Sequence, residues 1–489
     1  MDNEKGFSLI SYPNNLVIGI TIVASFFSFL HIGQKSIWID EAISILIAKL
    51  PWRDFWAVLS SMELNMWFYL LLLKLWIFLG DSEYIIRSLS ALFSIASIPV
   101  LYMLTMRLFG VHAGLITISL VSVNAFFIEY AQEARGYALV YFLVVLSSYL
   151  FVRVTEDPGD KKTLYGYIIV STLSVYSHLF AALILLAQTL SVPFLPANKF
   201  RIRQLLFANL LIGVLLIPFA FLILTVGGEQ ISWILKPSVS QLIELLMDLS
   251  GDAGHVKYIT IIFLLPCSVT LVHAFVTFLR TKRSIDTWRY VFIIFILIVP
   301  ILVSYGVSFK KPVFLNRYLI VSLPGLIMLA GVGISLIKDK QFNAILLILL
   351  MIFSVRSIIT QYYPKEKEEN NRAPVSYVFS QAKRGDGILF YKGGAMISFE
   401  YYWEKLNPPR DLLDSVYPWK FGQYKYNVPP PNLNVSFLES LKDHYERIWV
   451  VFRYEDIDSR YIITSIEKHY QVEQKKNYPA IHVLLFVKK

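Results

Sequence analysis

The sequence predicts an all-α polytopic membrane protein that carries a small soluble α/β domain at its C-terminal end. Of its 489 residues, 56% are hydrophobic and only 16% are charged, whereas about a quarter of the residues in a soluble domain are charged. The apolar residues form repeated runs of roughly 17 to 25, the length that an α-helix needs to cross a hydrocarbon core. Beyond Tyr363 the sequence becomes polar, and the run PKEKEENN marks a linker.

Eleven apolar segments are long enough to be membrane spans. They cover residues 16–32, 86–106, 111–128, 137–152, 163–177, 179–195, 205–226, 257–279, 290–308, 318–337 and 342–360. A twelfth block, 65–79, is shorter, rich in aromatic residues and carries Lys74. It is therefore either a further span or a helix that lies at the membrane surface.

The distribution of basic residues decides between these two interpretations, because cytoplasmic loops carry an excess of lysine and arginine. The basic short loops are 107–112, 153–162, 199–203, 280–289 and 338–340. All of them fall on the cytoplasmic side if the N-terminus is cytoplasmic and 65–79 does not cross. We therefore interpret 65–79 as a surface helix. The net charge of +10 then reflects membrane topology and does not indicate a nucleic-acid partner.

This topology places the polar and unusual residues on the periplasmic or extracellular side of the plasma (inner) membrane. The outer segments are 34–84, 129–135, 177–178, 227–255 and 310–317. An amphipathic stretch at 242–249 is predicted to rest on the membrane surface. The C-terminal domain falls on the same outer side.

The chain is predicted to divide into a membrane domain, residues 1–362, and a C-terminal extracytoplasmic domain, residues 363–489. In the second domain, β-type runs at 387–391, 448–452 and 481–487 alternate with helix-like runs at 395–403, 436–444 and 459–469. This alternation is typical of a small α/β domain. No motif in it indicates a role.

The strongest local signal for chemistry is the acidic pair Asp40 and Glu41, which follows the first predicted span. Two adjacent carboxylates close to the lipid are costly unless they have a function. A carboxylate here can act as the general base towards an acceptor hydroxyl, or help to hold a divalent cation such as Mg²⁺ or Mn²⁺, with Asp40 as the ligand. The structural alternative is that the pair stabilises the positive end of a helix dipole.

Three arginines lie at the predicted outer boundary of the membrane, on segments far apart in the sequence: Arg87, Arg135 and Arg317. A lipid-phosphate leaving group gains negative charge in the transition state, and guanidinium groups at this depth would stabilise that charge. Alternatively, each arginine reaches the lipid headgroups or pairs with a nearby glutamate. Their shared face favours the phosphate-binding interpretation.

Four further residues on this face are candidates for substrate binding: Glu133, Tyr137, His178 and Tyr318. His178 lies in a turn between two spans, where its ring can form a hydrogen bond with the acceptor or the phosphate. A lone histidine at a membrane boundary is more often structural.

Several motifs together resemble the bacterial, protein-mannosyltransferase-like branch of the GT-C glycosyltransferases, which includes aminoarabinose-transferase-like enzymes. They are WIDEA at 38–42, YLLLLKLW at 69–76, GDSEYIIRSLSALF at 80–93, RLFG at 107–110, YAQEARGYAL at 130–139, YSH at 176–178 and RY at 317–318. The resemblance covers residues 15–340. One departure is that many members have a PPLYY run in the first outer loop, where this chain reads LNMWFY at 64–69.

The resemblance implies the GT-C fold, with surface helices in the first outer loop. It also implies an inverting transfer of a sugar from an undecaprenyl- or dolichyl-phosphate carrier to a protein, lipid or glycan. Asp40 is then the expected base, supported by Glu41, and Arg87 is expected near the carrier phosphate. The reaction in this family is metal-independent or only weakly metal-dependent.

Two other functions remain as alternatives. A transporter or flippase of lipid-linked saccharides is expected to carry charges within its spans, or broken helices in paired halves, at mid-membrane depth, whereas the predicted spans here are nearly free of charge. A surface-polysaccharide polymerase or ligase would leave the pair Asp40 and Glu41 without a role. Nucleotide-sugar chemistry would need a cytoplasmic domain, for which the inner loops are too short.

Overall fold

The computed structural model describes residues 8–61, 65–226, 234–254, 257–364, 369–391, 394–418, 420, 433–453 and 457–489. The chain forms two compact units. The first consists of Met1–Ile32 and Leu59–Pro364, and the second of Gly33–Val58 and Lys365–Lys489. The second unit therefore contains a segment of the first outer loop, 33–58, that the sequence places in the membrane domain.

Helices dominate the chain. In chain order they are α1 (Ser8–Phe29), α2 (Ile39–Lys49), α3 (Trp52–Ser61), α4 (Trp67–Trp76), α5 (Glu83–Phe109), α6 (Val111–Ser122), α7 (Ala125–Ala131), α8 (Tyr137–Glu156), α9 (Lys161–Ser177), α10 (Ala181–Ser191), α11 (Lys199–Val226), α12 (Val239–Leu249), α13 (Tyr258–Arg280), α14 (Ile285–Ser308), α15 (Leu323–Leu336), α16 (Lys340–Ser357), α17 (Arg372–Gln381), α18 (Gly394–Lys405), α19 (Val435–Ser440) and α20 (Ile457–Glu467). Helices α2 and α17 to α20 belong to the second unit.

Each predicted span contains a helix, and the protein is a multi-pass membrane protein. Seven helical stretches of the described chain are long and apolar enough to cross a bilayer, and the bent pair α6 and α7 would make an eighth. The stretches Asn14–Phe29, Trp67–Leu79 and Ala181–Phe194 are apolar but shorter. Eleven crossings, and the surface position of 65–79, therefore stay predictions.

The predicted span 111–128 consists of two helices, α6 and α7. The chain bends by 64° between α6 and α7. Asn124 stands at the break in an extended conformation, and its side-chain oxygen accepts the Phe127 N–H at 2.9 Å. Its amide nitrogen donates to the Leu249 carbonyl at 3.0 Å. Asparagine favours such a cap over a helix interior, because its side chain competes for backbone hydrogen bonds.

Close backbone contact holds the centre of the first unit together. Helix α15 is buried on almost all sides. A Cβ atom at Gly333 of α15 would lie only 1.8 Å from the carbonyl oxygen of Pro266 in α13. The Thr270 hydroxyl of α13 also donates to the Leu329 carbonyl of α15 at 2.7 Å. Small residues allow this approach, which is how membrane helices gain packing contacts in the absence of water.

The second unit is built on a five-stranded mixed sheet, which confirms the predicted α/β domain. Its strands are β1 (Asp386–Tyr391), β2 (Leu413–Tyr417), β3 (Arg447–Arg453), β4 (Tyr470–Tyr478) and β5 (Ile481–Lys488), in the order β2-β1-β3-β5-β4. Strand β1 runs parallel to β2 and β3, and β5 runs antiparallel to β3 and β4. The predicted runs correspond to β1, β3, β5, α18, α19 and α20. The sequence did not predict β2, β4 or α17.

Substitution of Gly333 by alanine should destabilise the protein, since the new methyl group would overlap the backbone of α13. Overpacking of this kind costs about 1–3 kcal/mol or more. Gly213→Ala in α11 is the matched control, because a Cβ there meets nothing within 4 Å. Thermal unfolding in detergent should show a lower unfolding temperature for Gly333→Ala only. Equal unfolding temperatures for the two variants would contradict the packing described here.

Candidate functional site

The chain between α7 and α8 leaves the helical conformation and carries Glu133 and Arg135, and Tyr137 follows as the first residue of α8. Gly136 allows neighbouring segments to pack closely against this turn. A Cβ there would lie 3.1 to 3.3 Å from Met66, Tyr69 and the Ser177 carbonyl, so a larger side chain would push these neighbours away. The Ser90 hydroxyl supports the same turn by donating to the Arg135 carbonyl at 3.3 Å.

Six predicted site residues from three separate segments of the first unit come together, and we name them the polar cluster: Glu133, Arg135, Tyr137, His178, Arg317 and Tyr318. The rings of His178 and Tyr318 are 4.8 Å apart, and the Tyr137 ring lies 5.9 Å from His178 and 6.4 Å from Tyr318. The Arg317 guanidinium carbon is 5.8 Å from the centre of the Tyr318 ring. The charges of both Arg135 and Arg317 act on Tyr137 and His178, and the charge of Glu133 acts on Tyr137.

His178 is the buried centre of the polar cluster, with 1% of its surface exposed. Its Nδ1 atom accepts the Phe180 N–H at 3.2 Å, and its Nε2 atom lies 3.3 Å from the side-chain nitrogen of Asn65. Burial first, and then the charges of Arg135 and Arg317, lower the pKa of His178 to about 3. The imidazole is therefore neutral at physiological pH.

Asn65 is a site residue that the sequence reasoning missed. Its side-chain oxygen accepts the Leu179 N–H at 3.1 Å, next to its contact with His178. It fixes the turn between α9 and α10 from a position more than 110 residues earlier in the chain. An uncharged amide at the start of an apolar block does not stand out in the sequence. The role of Asn65 is therefore visible only in the folded structure.

Arg87 is not part of the polar cluster. Its guanidinium is completely buried and donates from Nη1 to the Ile32 carbonyl at 2.9 Å. Gln132, also missed, donates to the carbonyls of Phe27, Ser28 and Leu30 at 2.7 to 3.1 Å. Both residues thus satisfy carbonyls at or just beyond the end of α1, where helical partners are lacking.

Arg87 nevertheless lies near the polar cluster. Its charge acts on Tyr362, as do the charges of Glu129 and Glu133. The Tyr362 hydroxyl donates to the Gln132 side chain at 3.1 Å. Gln132 therefore binds both the end of α1 and the end of the apolar stretch Lys340–Tyr362.

Asp40 and Glu41 belong to the second unit, and the other seven candidates belong to the first. Both carboxylates lie in the first turn of α2. Glu41 is fully buried and accepts the Trp38 N–H at 3.4 Å, so it serves the structural role of capping the helix. Asp40, by contrast, is partly exposed.

The described residues do not bring together a metal site. No three His, Cys, Asp or Glu side chains among them are placed to hold an ion, and the carboxylate of Glu41 already accepts a backbone N–H. Among the described residues, Asp40 is therefore not part of a group of three such side chains that could hold a cation. The steps proposed below involve no metal.

Acidification should destabilise the protein through His178. Its pKa is about 3 in the folded protein and about 6.5 when unfolded. Between these values the unfolded chain binds more protons, so stability falls as the pH falls, by about 2 kcal/mol between pH 7 and pH 5. The unfolding temperature of His178→Gln should therefore drop less over this range than that of the wild type. The exposed His444 provides the control, since His444→Gln should keep the wild-type pH dependence. The same pH dependence for His178→Gln and the wild type would contradict the neutral, buried histidine.

No protein-family model matches the sequence, and no curated protein is similar to it at a significant level. Solved structures, in contrast, are similar over nearly the whole chain. ArnT from Cupriavidus metallidurans, bound to undecaprenyl phosphate, matches with a TM-score of 0.65 and 12% identity over 96% of this chain and 98% of its own.

The oligosaccharyltransferase of Archaeoglobus fulgidus, in a complex with Zn and sulfate, matches with a TM-score of 0.52 and 12% identity, over 97% of this chain and 73% of its own. The oligosaccharyltransferase AglB from Archaeoglobus fulgidus, in complex with an inhibitory peptide and a dolichol-phosphate, also matches with a TM-score of 0.52, at 10% identity, over 98% of this chain and 74% of its own. ArnT and AglB are both GT-C membrane glycosyltransferases. The chain therefore has the GT-C fold.

Proposed function

We propose that the protein transfers a sugar from a polyprenyl-phosphate carrier to an acceptor on the extracytoplasmic side of the membrane. The polar cluster carries this proposal, because Arg135 and Arg317 come from distant segments and act on the same neutral His178. Two proteins with the same fold provide support, since one was solved with undecaprenyl phosphate and the other with a dolichol-phosphate.

The polar cluster has the chemistry of a phosphate site. Guanidinium groups form paired, charge-assisted hydrogen bonds with phosphate oxygens. Arg135 and Arg317 are partly buried, and their attraction to an anion is stronger there than in bulk water. Glu133, with 4% of its surface exposed, supplies a negative charge close by, which reduces the cost of burying two cations. Tyr137 and Tyr318 provide rings and hydroxyl groups for the sugar or the lipid.

The proposed reaction is an inverting displacement. The acceptor hydroxyl attacks the anomeric carbon, the bond from that carbon to the phosphate oxygen breaks, and the polyprenyl phosphate leaves with the bonding electrons. Asp40 takes the hydroxyl proton as general base. The partial exposure of Asp40 supports this role. Glu41 is proposed as a supporting residue that orders the same helix turn.

Arg87 is proposed to support the donor site without contacting the phosphate. Its guanidinium is buried and donates to the Ile32 carbonyl. Loss of Arg87 would leave a buried carbonyl without its donor and disturb the chain at the end of α1.

The bend between α6 and α7 is a feature that the sequence reasoning assigned to a transporter. Transporters of that type carry broken helices in both halves of an internal repeat. In the part of the chain that the structure describes, α6 and α7 form the one bent pair. At the break, the side chain of Asn124 caps the start of α7. This observation favours the transferase.

Purified protein should transfer labelled sugar from at least one member of a panel of polyprenyl-phosphate sugars. Asp40→Asn should lower the rate by about 10²- to 10⁴-fold, since only the base is lost. Asp54→Asn is the control, because Asp54 is an exposed acid in the first turn of the next helix, α3, and should leave transfer unchanged. Normal transfer by Asp40→Asn would remove Asp40 as the base. If no carrier supports transfer or binds, the flippase becomes the better hypothesis.

The two arginines of the polar cluster should be needed for donor binding. Removing a charge-assisted hydrogen bond costs about 1.5–3 kcal/mol, so Arg135→Ala and Arg317→Ala should each raise the Kd for undecaprenyl phosphate by roughly 10- to 150-fold. Arg289→Ala is the control, since Arg289 forms a surface ion pair with Asp286 at 3.1 Å. Native mass spectrometry can measure the affinities. An unchanged Kd in both cluster variants would exclude the phosphate site described here.

A further inference from the structure

The segment directly before Asp40 forms hydrogen bonds with residues of the second unit that lie far away in the sequence. The Ile37 N–H donates to the Tyr402 hydroxyl at 2.7 Å, and the Ile37 carbonyl accepts from the Asn371 side chain at 3.0 Å. The Ser36 hydroxyl oxygen accepts the Asn371 N–H at 2.9 Å. The start of α2 is therefore built into the C-terminal part of the chain.

Glu369 contacts the residue directly before Asp40. Its Oε2 atom accepts the N–H of Ile39, the first residue of α2, at 3.2 Å, across 330 residues of sequence. The Asn371 side chain donates to the same oxygen at 3.3 Å. The first N–H groups of a helix have no partner inside it, and a carboxylate at this end is favoured by the helix dipole. Glu369 thus caps α2 from the C-terminal region.

The carboxylate of Glu369 is buried. Only 1% of its side chain is exposed, and Arg453 of β3 forms a salt bridge with its Oε1 atom. Burial raises the pKa of Glu369 above its usual value, Arg453 opposes this effect, and the nearby charge of Asp40 adds to it. The carboxylate of Glu369 therefore lies close enough to Asp40 for the two charges to interact.

We propose that Glu369 is a positioning residue for Asp40, which fixes the first turn of α2 and thereby gives the C-terminal region a role in catalysis. This inference rests on the proposed function, in which Asp40 is the base. Arg453 anchors Glu369 to the sheet, and Glu369 anchors the helix. A displacement of a catalytic group by about 1 Å can lower a rate roughly 100-fold. A small shift of the first turn of α2 would therefore be enough to slow the reaction.

The test compares the full-length variants Glu369→Ala and Glu369→Gln with the wild type. Glu369→Ala removes the acceptor of the Ile39 N–H, so kcat should fall about 10- to 100-fold, while the KM for the donor should stay within about twofold because the donor site is unchanged. Glu369→Gln keeps an acceptor oxygen and should recover much of the lost kcat.

Glu404→Ala is the matched control. Glu404 is also a glutamate of the second unit that binds α2, but it pairs with Lys49 at the opposite end of the helix, at 3.7 Å and largely exposed. Surface pairs of this kind contribute little to stability. The kcat and KM of Glu404→Ala should equal those of the wild type.

Hydrogen exchange provides a second measurement that does not depend on activity. In Glu369→Ala, amides in the first turn of α2 should exchange faster, while those of β3 and β5 stay protected. If wild-type protein transferred no sugar, the proposed function would fail, yet the exchange result would still report whether Glu369 holds α2. A wild-type kcat in Glu369→Ala would overturn the inference. So would equal losses in the Ala and Gln variants accompanied by exchange throughout the sheet, because this would indicate unfolding.

Discussion

The non-helical turn between α7 and α8 is the constraint on which the first unit depends. Buried irregular backbone persists only where other groups supply its hydrogen-bond partners. Gln132 at its start binds the carbonyls around the end of α1, and Ser90 binds the carbonyl of Arg135 near its end. Gly136 lets α4 and the end of α9 approach the turn closely. Because the turn is fixed on all these sides, the side chains that it carries have defined positions.

The same turn also explains why the cationic side chains converge. The turn carries Glu133 and Arg135, and their charges act on Tyr137 together with the charge of Arg317. The side chain of Asn316, next to Arg317, donates to Asp248 of α12 at 2.7 Å. Arg317 and Tyr318 follow directly. The ring of Tyr318 packs against His178, and the charge of Arg317 acts on the same imidazole. Neutral His178 adds hydrogen-bonding capacity without a third positive charge. This composition supports the proposal that the polar cluster binds an anion.

Much of the fold follows from the sequence, because the lengths of the apolar runs and the alternation in the last 120 or so residues reflect simple periodicities. The break at Asn124 depends on a contact with Leu249, and the place of 33–58 in the second unit depends on contacts more than 300 residues away. Neither leaves a local pattern. Strand β4 is an edge strand with mostly exposed side chains, so it lacks the hydrophobic alternation that reveals β1, β3 and β5.

The sequence singles out some residues of the candidate site and not others. Charged residues at a membrane boundary are costly and stand out in a sequence, which is why Arg135 and Arg317 are candidates. The same signal selected Arg87, whose buried guanidinium donates to the carbonyl of Ile32, a contact that charge alone does not predict. Asn65 and Gln132 are uncharged, and Glu369 lies in a charged linker run, so none of the three stands out from its surroundings.

The central claim is that the polar cluster binds the phosphate of a polyprenyl carrier. The most direct test is an experimental structure of the protein with undecaprenyl phosphate. The account predicts phosphate oxygens about 3 Å from guanidinium nitrogens of both Arg135 and Arg317. A phosphate that is well resolved but held by other residues, with both arginines distant from it, would contradict the account.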